Sequence, residues 1–195
     1  KINGFKSAII PITYYIGTSL EKAVEQLFIE ADKAYREGAN ILILSDRNVD
    51  EYHAAMPSLL AVSALHQHLV DTKKRTKVAM ILESAEPREV HHFAALLGYG
   101  ASAVNPYLAH ETIHNLIENG LLDKDFYAAE DDYDQAVLKG IVKIASKMGI
   151  STIQSYQASR LFEAVGISNA VIDRYFRGTV SRIGGITLSD ISRQI

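Results

Sequence analysis

The chain contains no cysteine. That excludes disulfides, thiolate ligation of zinc or iron–sulfur clusters, and a cysteine nucleophile supplied by these 195 residues. It also lacks any apolar run approaching the roughly 18–20 residues of a membrane span. There is no strong field of one sign: the formal net charge is −3 and the sequence pI is about 6.2. Nucleic acid is therefore not an expected partner. The one short basic run, Lys73-Lys74-Arg75, reads as a solvated loop before a strand. No Walker loop and no G-x-S-x-G occur, and no nucleophile–base pair is visible. The opening residues Lys1 to Phe5 carry neither an initiator Met nor a signal-peptide pattern, so a piece of a longer chain is expected.

What is present is enough for one domain with a real core. Hydrophobic residues make up 48% of the chain. Short apolar runs alternate with amphipathic segments. Ser7 to Thr13 reads as a strand, at an edge because Pro11 cannot donate to a ladder. Ser19 to Glu37 is a helix with one stripe at Leu20, Ala23, Val24, Leu27, Phe28, Ala31, Ala34 and Tyr35. Thr18 with Glu21 has capping-box spacing, and Gly38 suits the stop. Ile41 to Leu44 is apolar throughout, as in a strand covered on both faces. A helix from Pro57 to Leu69, a strand Val78 to Leu82, a helix Pro87 to Leu97, a strand Ala101 to Val104 and a helix Glu111 to Ile117 follow. Gly120 to Glu130 reads as a polar loop.

Asp131 to Met148 is the strongest helical pattern, with Ala136, Val137, Gly140, Ile141, Ile144, Ala145 and Met148 on one face. Ser151 to Gln154 reads as a fifth strand, and Tyr156 to Val165 as a helix. Short helices are expected at Asn169 to Tyr175 and from Ser189. Gly184-Gly185 reads as a hinge or turn. The predicted class is α/β, a mostly parallel sheet of about five strands with helices on both faces, either open or an incomplete barrel, forming a single domain over residues 1–195.

Sites in such sheets lie beyond the carboxyl ends of the strands. Those ends read Ser45-Asp46-Arg47, Glu83-Ser84, Asn105-Pro106-Tyr107 and Gln154-Ser155-Tyr156. Ordinary turn chemistry accounts for any one of them. Four on one rim point to a polar site or interface. His110-Glu111-Thr112-Ile113-His114 matches the zinc-protease pattern H-E-x-x-H, which would place two imidazoles on one helix face. No later histidine supplies a third ligand, so the match reads as accidental. His91 and His92 point about 100° apart on a helix and do not chelate one metal easily. One reads as a hydrogen-bonded core residue and the other as exposed, or one as a contact to a neighbouring domain. His66 and His68 read as structural. Asp131-Asp132 reads as charge complementing a helix N-terminus. Local chemistry alone describes a non-catalytic α/β domain, with no catalytic, cofactor or metal residue.

A set of words along the chain carries a resemblance. They are Ile2-Asn-Gly-Phe5, Leu44-Ser-Asp-Arg47, Pro57-Ser-Leu-Leu-Ala-Val-Ser63, Glu86-Pro-Arg-Glu-Val-His-His-Phe93, Gly98-Tyr-Gly-Ala101 and Asn105-Pro-Tyr-Leu-Ala109. Lys139-Gly-Ile-Val-Lys143, Ser146-Lys-Met-Gly-Ile-Ser-Thr152, Phe162-Glu-Ala-Val-Gly166 and Gly178-Thr-Val-Ser-Arg182 continue them. In order and spacing the chain resembles the central domain of the glutamate synthase large chain, ferredoxin- or NAD(P)H-dependent. The resemblance implies a place between a glutamine amidotransferase domain and an FMN-binding barrel with an iron–sulfur cluster. It implies an ammonia tunnel, glutamate formation from glutamine and 2-oxoglutarate, and an electron-donor subunit or ferredoxin as partner. The expected location is cytoplasmic, or plastid in a photosynthetic eukaryote. The fragment itself is expected to be inactive, to hold neither cofactor and to stop before the flavin barrel.

Ammonia must travel uncharged, so hydroxyl, amide and carbonyl groups suit a tunnel wall. Ser45, Ser84, Asn105, Tyr107, Ser151, Gln154, Ser155 and Tyr156 are the candidates for that wall or rim. Arg47, Glu86, Arg88, His92, Lys143, Lys147 and Arg182 are the candidates for domain interfaces. A free-standing scaffold module is the alternative, and a small metalloenzyme using His110 and His114 is a third reading.

Overall fold

The computed structural model describes residues 4–195. Ile2 and Asn3 of the first resembling word lie outside the described residues. Strand β1 (Ser7–Pro11) leads through the short β2 (Thr13–Tyr15) into α1 (Leu20–Arg36), then β3 (Ile41–Ser45). β4 (His53–Ala55) and α2 (Ser58–Asp71) precede β5 (Ala79–Glu83), α3 (Val90–Gly98) and β6 (Ala103–Asn105). Strands β1, β3, β5 and β6 form one parallel sheet in that order, with β1 at its edge beside Pro11. Strands β2 and β4 pair antiparallel as a separate ribbon. The α/β class with a parallel sheet holds, with four strands in the main sheet where five are expected.

Each crossover steps in the same direction across the sheet. Crossovers of one hand then carry their helices to the same face. Burial follows that rule. Leu42, Leu44, Met80 and Leu82 are completely buried in a core shared with Leu20, Val24 and Leu27 of α1 and Leu60, Ala61 and Leu65 of α2. On the other face, Ile9, Ile43, Ile81 and Ala103 share one register row. Ile43 and Ile81 there are half-buried and Ile9 is 68% exposed. Helix cover is therefore one-sided. The uniform apolar run Ile41 to Leu44 reflects a fully buried row alternating with a partly covered one.

The chain continues with α4 (Tyr107–Glu118) and α5 (Phe126–Lys147). Helix α5 starts before Asp131 because Asp125 caps it, accepting from the Ala128 N–H at 3.1 Å. Much of the expected polar loop is thus its first turn. Of the expected buried face of α5, Val137 is buried, while Ala136 and Met148 are exposed.

The fifth expected strand does not form. Thr152 accepts from the Ser155 N–H and starts a helical turn, α6 (Ile153–Tyr156). No helix follows over Tyr156 to Val165. The chain instead enters β7 (Glu163–Ile167), then α7 (Asn169–Tyr175), β8 (Val180–Ile186) and α8 (Leu188–Ser192). β7 and β8 pair in parallel, with register shifts. Gly184-Gly185 lies inside β8 and is no hinge. A Cβ at Gly185 would sit 2.2 Å from the Gly166 carbonyl oxygen, so only glycine allows this approach. Val171, Ile172 and Tyr175 of α7 and Leu188 of α8 extend the same core. Among the described residues no helix is long and apolar enough to cross a membrane.

Candidate functional site: a polar rim at the carboxyl ends of the strands

In-register parallel pairing aligns Ser45 with Glu83 and Glu83 with Asn105. Three of the four polar turns therefore meet. Ser45 Oγ donates to Glu83 Oε2 at 2.8 Å, and Asn105 Nδ2 donates to Glu83 Oε1 at 3.3 Å. Arg47 Nε lies 2.9 Å from Glu83 Oε1 and its Nη1 3.4 Å from Glu111 Oε1. The Arg47 guanidinium also lies 4.0 Å over the Tyr107 ring. The Arg47 hydrogen bond holds the Glu83 carboxyl below its ordinary range, and Glu83 in turn raises the Arg47 guanidinium.

Beneath this layer Asp46 is only 2% exposed. Its carboxylate accepts from Ser84 Oγ at 2.6 Å, from the Ala85 N–H at 3.1 Å and from Tyr107 OH at 2.9 Å. Buried acids persist when hydrogen-bonded in this way. Burial, then the neighbouring Asp46, pushes the Tyr107 phenol up to about 12. Ser84 Oγ also lies 2.6 Å from Ser58 Oγ, and Glu86 Oε2 accepts from the Ser58 N–H at 2.8 Å, satisfying an orphan donor at the start of α2. Asp46 stands in the strand end Ser45-Asp46-Arg47 but is not among the site residues expected from the sequence. An acid directly after an apolar strand is the signal that points to it.

Beside the rim is a groove of about 440 Å³, lined by Glu86, Arg88, His91 and His92 among others. His92 Nδ1 accepts from the Arg88 N–H at 3.1 Å at the start of α3, and His91 is exposed. Neither imidazole is a core residue. Lys143 and Lys147 project from exposed positions of α5. Arg182 is on β8, 3.3 Å from Glu163.

The turn Ser151 to Tyr156 does not join the rim. Just after it, the Ala158 N–H donates to the Gly98 carbonyl and Gln157 Nε2 to the Ala101 carbonyl, each at 2.8 Å. Both acceptors precede β6, at the amino ends of the strands. Ser151 and Tyr156 line a hollow against α5, and Tyr156 is buried. Its edge-on neighbour is Phe162, at 6.5 Å between ring centroids. The loss of the fifth strand is what moves Ser151, Gln154, Ser155 and Tyr156 away.

The H-E-x-x-H residues lie on α4 but do not converge on one point. His110 Nδ1 is 2.9 Å from Glu130 and its Nε2 3.1 Å from Asp134, so both ring nitrogens are engaged by carboxylates of α5. His114 is 3.3 Å from Glu118 and 4.7 Å from the Phe126 ring centroid, while Glu111 faces Arg47. Among the described residues, no three His, Asp or Glu side chains are grouped to hold a metal.

Comparison with known proteins shows the family. The family model described as the glutamate synthase central domain matches residues 1–168. The chain is 53% identical over 175 residues to the glutamate synthase [NADPH] large chain of Bacillus subtilis (strain 168), covering 90% of this chain and 12% of that one. It is 42% identical over 193 residues to the glutamate synthase [NADH] of Schizosaccharomyces pombe, covering 96% of this chain and 9% of that one. It is 41% identical over 191 residues to ferredoxin-dependent glutamate synthase 2 of Synechocystis sp., covering 91% and 12%. The chain thus spans about a tenth of these relatives' length. It belongs to the glutamate synthase central domain family.

Proposed function

We propose that this chain is the connecting domain of a glutamate synthase large chain, between the glutamine amidotransferase and FMN domains, and that its rim helps enclose the path of ammonia. The parent enzyme is then an oxidoreductase that forms glutamate from glutamine and 2-oxoglutarate. Its electrons come from a nicotinamide cofactor or ferredoxin, since relatives named for each match. With no cysteine, this chain offers no thiolate to an iron–sulfur cluster, which falls to other parts of the parent.

The observation that carries the reading is the rim itself. Ser45, Ser84, Asn105 and Tyr107 are each tied to Glu83 or Asp46, which fixes the direction of their hydroxyl and amide groups. The acid of the upper layer, Glu83, is covered by Arg47. Hydroxyl and amide groups fixed in direction, around one carboxylate covered by a guanidinium and a second buried beneath, suit the passage of a small neutral base. Arg47, Glu86, Arg88 and His92 flank these groups and are suited to contact neighbouring domains.

Asn105→Leu in the complete enzyme tests this. The quantity to measure is glutamine hydrolysed per glutamate formed. The ratio is expected to rise above one-to-one, whereas Ser155→Ala, at the other end of the sheet, leaves it unchanged. Full coupling in both Asn105→Leu and Ser45→Val removes the tunnel role.

A further inference from the structure

A second cavity, of about 380 Å³, opens at the amino ends of the strands, between α2 and α3 on one side and the β7–α7–β8 unit on the other. Its lining includes His66, Tyr99, Arg160, Phe162, Arg177 and Thr179. The volume lies in the range of small-molecule sites, roughly 300–1,000 Å³.

Three glycines build its walls. A Cβ at Gly98 would lie 2.4 Å from the Phe162 ring, one at Gly100 2.4 Å from His66 Nδ1, and one at Gly178 2.4 Å from Arg160 Nε. Each side chain therefore packs against a backbone that has no room for a methyl group. Gly100 and Gly178 also have positive φ, so their glycines are required twice over. Ala158 and Arg160 both adopt φ of 57°, a conformation that costs non-glycine residues energy and clusters at binding sites.

The charge is unbalanced in one direction. Arg160 has no carboxylate within 4.0 Å among the described residues. Arg177 is held by Asp71 through two contacts of 2.7 Å. Behind His66, the half-buried Arg75 bonds only neutral acceptors: His66 Nδ1 at 3.0 Å, the Val78 carbonyl at 2.7 Å and the Gly100 carbonyl at 2.8 Å. Since His66 Nδ1 accepts, a neutral His66 carries its proton on Nε2, as a further donor. Thr179 and Tyr99 hydroxyls meet at 2.7 Å, and the Tyr99 and Phe162 rings stack at 5.5 Å between centroids. One uncompensated guanidinium in the wall, that of Arg160, a second behind His66, hydroxyl donors and an aromatic wall surround this cavity, whose other arginine, Arg177, is paired with Asp71.

We propose that this cavity binds a small organic anion: a carboxylate or phosphate head held by Arg160 with Thr179, on an apolar or flat body lying against Tyr99 and Phe162. Arginine is suited to either head group through paired N–H donors. The site lies at the opposite end of the sheet from the rim and does not depend on the tunnel reading.

Isothermal titration calorimetry of the 195-residue chain with glutarate, adenosine 5′-monophosphate and inorganic phosphate tests it. Glutarate or the nucleotide is expected to bind more tightly than phosphate, and which of the two does so identifies the head group. Arg160→Gln, at an exposed position, is expected to weaken that binding about tenfold while leaving the melting temperature unchanged. Phe162→Leu is expected to weaken the organic probe but not phosphate. Failure of both organic probes to bind more tightly than about 10 mM, or equal binding by Arg160→Gln, overturns the proposal.

Discussion

Gly140 of α5 lies so close to Val90 of α3 that a Cβ at position 140 would stand 2.6 Å from both Val90 γ-carbons. The missing side chain is what lets the two helices touch.

Gly140→Ala opposes two effects. Alanine gains about 1 kcal/mol of helix propensity, and the overpacked contact costs roughly 1–3 kcal/mol. A net loss of about 1 kcal/mol is expected in urea unfolding. Val90→Ala relieves the overlap, so the double variant should be more stable than additivity allows. Additive behaviour would show that the contact yields freely.

Tyr107 makes the rim sensitive to alkali. Its phenol is raised to about 12 in the folded chain against about 10 unfolded. The unfolded state therefore loses its proton first. The stabilisation is complete below pH ~10 and is lost as pH rises towards ~12. Burial raises Tyr99, Tyr156 and Tyr175 as well, so Tyr107→Phe should flatten only part of this decline. Urea midpoints across that window provide the measurement.

His66 sets a matching acid boundary. Burial, then the charge of Arg75, lowers its imidazole to about 4, from an ordinary 6.5. The unfolded chain takes up a proton first as pH falls. Stability is thus retained above pH ~6.5 and lost towards ~4. His66→Gln keeps an acceptor for Arg75 but cannot titrate, so its midpoint should fall less over this range. Equal slopes in the two proteins would remove His66 as the cause.

The elements most readable in the sequence are those whose burial repeats over several turns. The stripe of α1 places Leu20, Val24 and Leu27 in the core, and α7 spans Asn169 to Tyr175 as its pattern predicts. The α1 cap falls one residue later than its spacing suggests, at Ser19 rather than Thr18. What periodicity does not carry is pairing. Strands β2 and β4 are three residues each, held by a partner some forty positions away. β8 contains two glycines that look like a turn until Gly166 is placed beside them. Ser151 to Gln154 has the composition of a strand, yet a threonine side chain satisfies its backbone as a helical cap. The rim was legible because parallel strands in register bring their ends level. The second cavity was not, because Arg75 looks like one of three solvated basic residues. In the fold Lys74 reaches Asp32 at 2.6 Å, and Arg75 turns inward to backbone carbonyls.

The order β1-β3-β5-β6 also bears on how the chain assembles during synthesis. Each strand of the main sheet pairs with the one that left the ribosome immediately before it among those four, and its connecting helix is already made. After β1, each strand of that sheet meets a partner already translated, so growth can be vectorial, one βα unit at a time. The growing edge is always the newest strand, and the one edge that stays open throughout, the outer side of β1, carries Pro11, which has no N–H to offer a mispaired strand.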